Sequence, residues 1–169
     1  MGSVPDEHRA RSPKSVGCVV ITVSDTRTAE TDTGGQTIID LLTAQGHRVV
    51  ERHIIRDDPE PMRALLVSLR DRGDVDTILM TGGTGLGSRD QAFETVGGLL
   101  NKPLPGYGEL FRMLSYAEIG AAAMLSRAIG GLLGRKVLLT MPGSQAGVRL
   151  AMEKLILPEL GHLVGEATR

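Results

Sequence analysis

Two apolar runs limit what this chain can fold into. "VGCVVITVS" (16–24) and "VDTILMT" (75–81) are nearly continuous stretches of apolar and β-branched residues. A strand wetted on one face alternates apolar with polar residues, so runs that do not alternate point to strands buried on both faces. Between these runs the period changes. "GGQTIIDLLTAQG" (34–46) sets Ile38, Leu41 and Leu42 on one helical face, with Gly46 where a C′ glycine belongs. "HRVVERHII" (47–55) reads as a second strand. "PEPMRALLVSLRDRG" (59–73) spaces Met62, Leu65, Leu66 and Leu69 at i, i+3, i+4 and i+7, the clearest helix in the chain.

Further on, the pattern predicts a helix after Asp90 using Phe93, Val96 and Leu100, then a break at "NKPLPG". More helix is expected from Tyr107 to about Ala128, and the glycines of "AIGGLLGR" suggest a short hairpin or extension. "KVLLTMP" (136–142) is another strand. The helix after it carries Val148, Met152 and Leu155, and Pro158 ends or bends it. Alternating strands and helices predict an α/β domain with a mostly parallel sheet and helices on both faces. At 169 residues this is one domain, 15–169, behind a flexible arm over 1–14 whose composition cannot bury surface.

Composition excludes several functions. The net charge of −1 gives no bulk attraction to nucleic acid or membrane, and 2% aromatics with no Trp offer few stacking platforms for bases. Cys18 is the only cysteine, so neither an internal disulfide nor a multi-cysteine metal site is available; mid-strand, it reads as a small packed hydrophobe. His8, His47, His53 and His162 share no zinc-ligand spacing. No apolar run approaches the roughly 20 residues that span a bilayer, and the start has no secretory h-region. The expectation is a soluble, cytoplasmic protein.

In such sheets ligands sit beyond the carboxyl ends of the strands. The exits are "SDTRTAETDTGG", "RDD", "TGGTGLGSRD" and "MPGSQAG", each rich in small, hydroxyl or acidic residues. The glycine loop has the GxxxxG spacing of a P-loop, but Ser88 and Arg89 stand where Lys and Ser/Thr belong, which argues against a Walker-type NTPase. Physically, successive glycine N–H groups can converge on an anion, with Thr81, Thr84 and an acid beside them. Asp57 and Asp90 lie at neighbouring exits, and two carboxylates next to a phosphate cradle suit hydrated Mg²⁺. Asp58, just before Pro59, reads as an ordinary helix N-cap, and Asp90 has the same alternative. Spacing leaves open whether Asp57 or Asp58 faces a metal.

"TGGTG" followed by "RD", then "PGYGELFRMLSY", "AMLSRAIGG", "MPGS" and "LAMEKLILPELGH" in that order, resembles the MoaB/Mog family of molybdenum cofactor biosynthesis over about residues 14–164, closer to the MoaB branch. The resemblance implies a three-layer α/β/α fold, a homotrimer or a dimer of trimers, and possible association with other molybdenum cofactor enzymes. It implies adenylylation of molybdopterin by ATP with Mg²⁺, releasing pyrophosphate, or alternatively a non-catalytic molybdopterin-binding or scaffold role. Carried over by motif, Asp57 and Asp90 become catalytic and metal-positioning residues. Substrate would meet Ser24, Asp25, Asp32 and Gly35 from the first exit, then Thr81, Gly82, Gly83, Thr84 and Gly85. Pro142, Gly143 and Ser144 would line the rest, with Ser126 and Arg127 on phosphate or pterin. Arg112 and Ser115 match a family motif, although at helical spacing they could equally face solvent or a neighbouring subunit; Leu110, Phe111 and Leu114 read as core or trimer contact. The chain departs from the family pattern at Gly34, where Ser is common, and at Ala92 and Phe93, where Thr and Pro are common.

Overall fold

The computed structural model describes residues 12–169, so most of the expected N-terminal arm lies outside the described residues. Its last residues do make contact: a Cβ on Gly161 would lie 2.4 Å from the Pro13 carbonyl oxygen. Six strands form one sheet in the order β2-β1-β3-β6-β5-β4. These are β1 (Gly17–Val23), β2 (Arg48–Ile55), β3 (Thr77–Thr81), β4 (Lys102–Pro103), β5 (Gly130–Leu133) and β6 (Lys136–Met141). The four strands β2, β1, β3 and β6 are parallel, and β5 and β4 extend the sheet antiparallel.

Every residue of β1 and β3 is buried, as their unbroken apolar runs require. The side-chain period of two then sorts them into separate cores. Cys18, Val20, Leu79 and Leu139 face one helical layer, made of α1 (Thr33–Ala44), α4 (Pro105–Ile119), α5 (Gln145–Ala151) and α6 (Leu157–Ala167). Val19, Ile21, Ile78, Met80 and Leu138 face the other, where α2 (Pro59–Arg70) contributes Met62, Leu66 and Leu69, and α3 (Ala92–Gly97) contributes Ala92 and Val96. This is the predicted three-layer α/β/α arrangement. No helix of the described residues is long and apolar enough to cross a membrane.

Elsewhere the local chemistry refines the sequence reading. The "AIGGLLGR" segment is indeed a hairpin arm, closed by Gly134 at φ +62°, which suits the first position of a two-residue turn. The expected break at "NKPLPG" contains the two-residue strand β4, and its Pro103 is tolerated because β4 is the sheet edge. The helix expected to reach Ala128 ends at Ile119. Gly120 there adopts φ +64°, and a 3₁₀ segment, Gly120–Leu125, follows. The short α3 buries Ala92, Thr95 and Val96 rather than a Phe93–Val96–Leu100 stripe. Pro158 neither ends nor breaks its helix: it falls in the first turn of α6, after a widened π turn at Met152–Ile156.

One buried ion pair joins the layers at the start of α1. Asp32, 3% exposed, is the N-cap; its Oδ1 accepts the Gly35 N–H at 2.9 Å. Its Oδ2 accepts from Thr22 Oγ1 and Arg52 Nη2, both at 2.8 Å. Gly35 must lack a side chain, since a Cβ would lie 2.2 Å from Asp32 Oδ2. Burial works to raise this carboxyl's pKa, but Arg52, the Gly35 N–H and Thr22 outweigh it and hold it below the ordinary value. A lowered carboxylate stabilises the fold above its unfolded pKa and loses that contribution as pH falls through the folded one. Asp32→Ala is therefore expected to cost about 2 kcal/mol in urea denaturation at pH 7, because it removes the helix cap and the carboxylate partner of Arg52, leaving that arginine Gln36 and a backbone carbonyl. The deficit relative to wild type should shrink as pH falls below 3.8.

Candidate functional site

The parallel strands all deliver their exits to one end of the sheet, and the β3 exit is the most constrained. Gly82 (φ +96°) donates its N–H to the Met141 carbonyl at 3.0 Å, and a Cβ there would lie 2.2 Å from the Val23 carbonyl oxygen. Gly83 (φ +69°) has the same restriction, with Asp57 Oδ2 at 2.7 Å from the Cβ position. Both residues thus need glycine for backbone angle and for space. Beyond them, the N–H groups of Gly83, Thr84 and Gly85 have no acceptor among the described residues. Three successive unpaired donors are an arrangement that can receive an anion.

Two carboxylates border this loop. Asp57 is 7% exposed and its Oδ1 accepts the Gln91 N–H at 3.1 Å, while its own N–H donates to Asp25 Oδ1 at 3.2 Å. Burial pushes the Asp57 carboxyl upward from its ordinary pKa; the Gln91 bond opposes this, and the nearby Asp90 and Asp25 carboxylates add to it. Asp90 does not cap α3. Its Oδ2 accepts the Gly87 N–H at 2.9 Å, folding over its own loop, and Gln91 holds the cap position without a side-chain bond. Asp58 occupies the cap position of α2 but also makes no capping bond; its Oδ1 meets Arg89 Nη1 at 3.4 Å instead. Asp57, not Asp58, faces the glycine loop.

Asp57 Oδ2 and Asp90 Oδ1 have no hydrogen-bond donor among the described residues, which leaves each carboxylate one oxygen for a cation. No group of three or more His, Cys, Asp or Glu converges among those residues. A cation here would therefore complete its shell with water and phosphate oxygens, the habit of Mg²⁺.

The glycine loop opens on a cavity of about 470 Å³. Gly82, Gly83, Thr84, Gly85 and Asp90 form one wall. Pro142, Gly143 and Ser144 form another, and Ser115 and Ser126 lie opposite. Sequence reasoning missed the remaining wall, where α4 and the 3₁₀ segment supply Phe111, Glu118, Ile119 and Leu125. Ser126 Oγ is buried without a partner. A hollow of about 80 Å³ adjoins it through Gly143 and takes in Ser24, Asp32, Gly34 and Thr81. Within it Thr81 Oγ1 donates to the Pro142 carbonyl at 2.9 Å. Gly34 leaves real space, since a Cβ there meets nothing closer than 3.7 Å.

Three arginines point elsewhere than at a ligand. Arg112, predicted on substrate, donates from Nη1 to the Ala128 carbonyl at 3.2 Å. Arg127, predicted on phosphate or pterin, donates to the carbonyls of Thr84 (3.3 Å), Gly85 and Asp90 (3.3 Å), and pairs with Glu94. Arg89, the arginine of the glycine loop itself, joins two exits by bonding Asp25 Oδ2 through Nε and Nη2 at 3.1 and 2.9 Å. Residue type suggests a phosphate ligand in each case, but tertiary neighbours decide where the guanidinium points. Ser24 is similarly turned inward, its Oγ accepting from the Thr26 and Arg27 N–H groups at 3.2 and 3.1 Å.

Comparison with known proteins gives consistent matches across the chain. Residues 19–162 match the model of a family described as "Probable molybdopterin binding domain". A molybdenum cofactor biosynthesis protein B of Bacillus cereus is 52% identical over 164 residues, covering 96% of this chain and 97% of that protein. A crystal structure of a molybdenum cofactor biosynthesis protein B superposes with a TM-score of 0.90 at 52% identity, covering 94% of this chain and 99% of the other. The tungsten cofactor synthesizing protein MoaB from Pyrococcus furiosus gives 0.81 at 34% identity, over 94% of this chain and all of its own (100%).

The raised pKa of Asp57 has a consequence for stability. Its ionised form is disfavoured in the folded state, so stability present below the unfolded pKa is lost as pH rises through the folded one. Asp57→Asn, which can still accept the Gln91 N–H, should melt about 2 °C above wild type at pH 7. The two melting curves should converge as pH is lowered past 3.8.

Proposed function

The chain belongs to the molybdopterin-binding domain family whose model it matches, and on that premise we propose that it acts in molybdenum cofactor biosynthesis by adenylylating molybdopterin with ATP and Mg²⁺. The observation that carries this reading is the juxtaposition of three unpaired N–H groups, Gly83 to Gly85, with two carboxylates that each keep an oxygen free. In the reaction, an oxygen of the pterin's terminal phosphate bonds to the α-phosphorus of ATP. The bond from that phosphorus to the bridging oxygen breaks, and pyrophosphate leaves. Such transfers need positioning and charge neutralisation more than covalent help. The glycine-loop N–H groups hold phosphoryl oxygens, and the wall from Pro142 to Ser144 closes over them. Asp57 and Asp90 hold the cation, which when bound neutralises charge developing on the phosphates.

The cavity wall itself argues for a cation. Among the described residues its charged side chains are Asp90 and Glu118, and no Lys or Arg lines it. A polyphosphate entering an acidic cavity needs a positive partner, and the nearby arginines are engaged with backbone or carboxylates. Arg112 and Arg127 are both turned away from the cavity, which favours a second reading: a non-catalytic molybdopterin carrier.

The apolar face formed by Met113 and Tyr116 of α4 and by Met124 of the 3₁₀ segment is more than half exposed at each residue. A contiguous face of this kind is suited to contact between subunits, and we assign it to the homotrimer, or dimer of trimers, that the family resemblance implies. Met113→Glu combined with Tyr116→Glu should lower the mass seen in sedimentation equilibrium to that of the 18.0 kDa chain. An unchanged mass would remove this face from the interface.

The central test incubates the protein with molybdopterin, Mg²⁺ and α-labelled ATP and follows labelled adenylyl-molybdopterin. Asp57→Asn and Asp90→Asn should each lower turnover by about 10²–10³-fold. Bound molybdopterin without any labelled product in wild type would establish the carrier instead.

A further inference from the structure

We propose that Arg127 is a positioning residue that sets the polarity of the glycine loop, turning peptide N–H groups toward the cavity and toward Asp57 without itself meeting the ligand. The inference rests on the proposed nucleotide role of the loop and assigns its orientation to one side chain. In a trans peptide the carbonyl of one residue and the N–H of the next point in opposite directions. Holding a carbonyl therefore aims the following N–H.

Arg127 does this at three peptides. Its Nε takes the Thr84 carbonyl at 3.3 Å, which turns the Gly85 N–H away toward the cavity. Its Nη2 takes the Gly85 carbonyl, which fixes the direction of the Leu86 N–H on the opposite side of that peptide. The same Nη2 takes the Asp90 carbonyl at 3.3 Å, and the N–H of that peptide, on Gln91, donates to Asp57 Oδ1 at 3.1 Å. One guanidinium thus orients part of the anion cradle and the carboxylate beside it. Ala92 completes the pattern by donating to the Gly83 carbonyl at 3.1 Å, which aims the Thr84 N–H.

The arginine is itself fixed from two further sides. Its side chain is only 19% exposed and pairs with Glu94 of α3. Its guanidinium carbon lies 5.0 Å from the centroid of the Phe93 ring, in cation–π range. Phe93, where the family pattern leads one to expect proline, supplies a platform under the fork. A planar fork with several donors in fixed directions can serve three carbonyls at once; a lysine ammonium cannot reproduce that geometry.

Arg127→Lys and Arg127→Gln test the proposal by two measurements. In the ligand-free protein, the ¹⁵N–¹H resonances of Gly85, Leu86 and Gln91 should shift, and their amide exchange should accelerate, in both variants. Binding of inorganic pyrophosphate with Mg²⁺, followed calorimetrically, should weaken on the order of 10- to 100-fold in both. Should Arg127→Gln fail to fold, Arg127→Lys, which keeps the charge opposite Glu94, carries the test, and Phe93→Leu should shift the same three resonances by less. Unmoved amides overturn the proposal. Wild-type affinity in Arg127→Lys also overturns it, because a charge in direct contact with the anion is rescued by another charge. If wild type binds no pyrophosphate although the amides move in the variants, the nucleotide reading of the loop fails, and the positioning role falls with it.

Discussion

The architecture of the site follows from one steric fact: the chain must leave β3 through a space with no room for a side chain. A methyl group at Gly82 would meet the Val23 carbonyl of β1, and one at Gly83 would meet Asp57 and Ala92. Three parallel strands close enough to bury both faces bring their exits equally close, so the loop between them can be little more than backbone. Backbone that leaves a sheet must satisfy its polar groups or offer them to a ligand. Here the carbonyls find protein partners and several N–H groups do not. The run of unpaired N–H groups in the loop is thus a by-product of tight strand packing, refined by the residues that take up its carbonyls.

Charge is distributed with the same logic. The acids face the cavity or its rim, while Arg89, Arg112 and Arg127 hold the frame together. A phosphate site built from lysines would carry its own counter-charge whether filled or empty. This one has the buried carboxylate of Asp57, pushed by burial toward its protonated form, and in the proposed reaction a cation would offset that. Cation and phosphate are then expected to enter together, each reducing the electrostatic cost of the other.

How far the sequence revealed this depends on where the determining forces act. β1, β3 and β6 were legible because burial on both faces writes itself into consecutive residues. The helix at Pro59 was legible because its apolar spacing and its N1 proline are local signals. β4 was not, since two residues with a proline carry no periodicity, and their pairing depends on β5, which lies 28 or more residues downstream. At the site, the glycine loop and the Asp57–Asp90 pair could be placed from strand exits and motif order. The directions of Arg112 and Arg127 could not: a guanidinium is equally suited to phosphate and to carbonyl oxygens. Glu94 and Phe93, which settle the matter for Arg127, are more than thirty positions away in the chain.

The single cysteine has a practical consequence. Cys18 lies in β1, fully buried between neighbouring parallel strands, and burial, aided by Asp76, pushes its thiol up to about 12. A thiol so far from ionising, in a strand hydrogen-bonded on both sides within the sheet, is closed to alkylating reagents while β1 remains paired. Its rate of modification is a clock for the opening of the sheet core, and it ticks independently of what the loops at the carboxyl ends of the strands are doing. Ligand-induced changes in that clock would distinguish a site that merely orders its own loops from one whose occupancy tightens the entire domain.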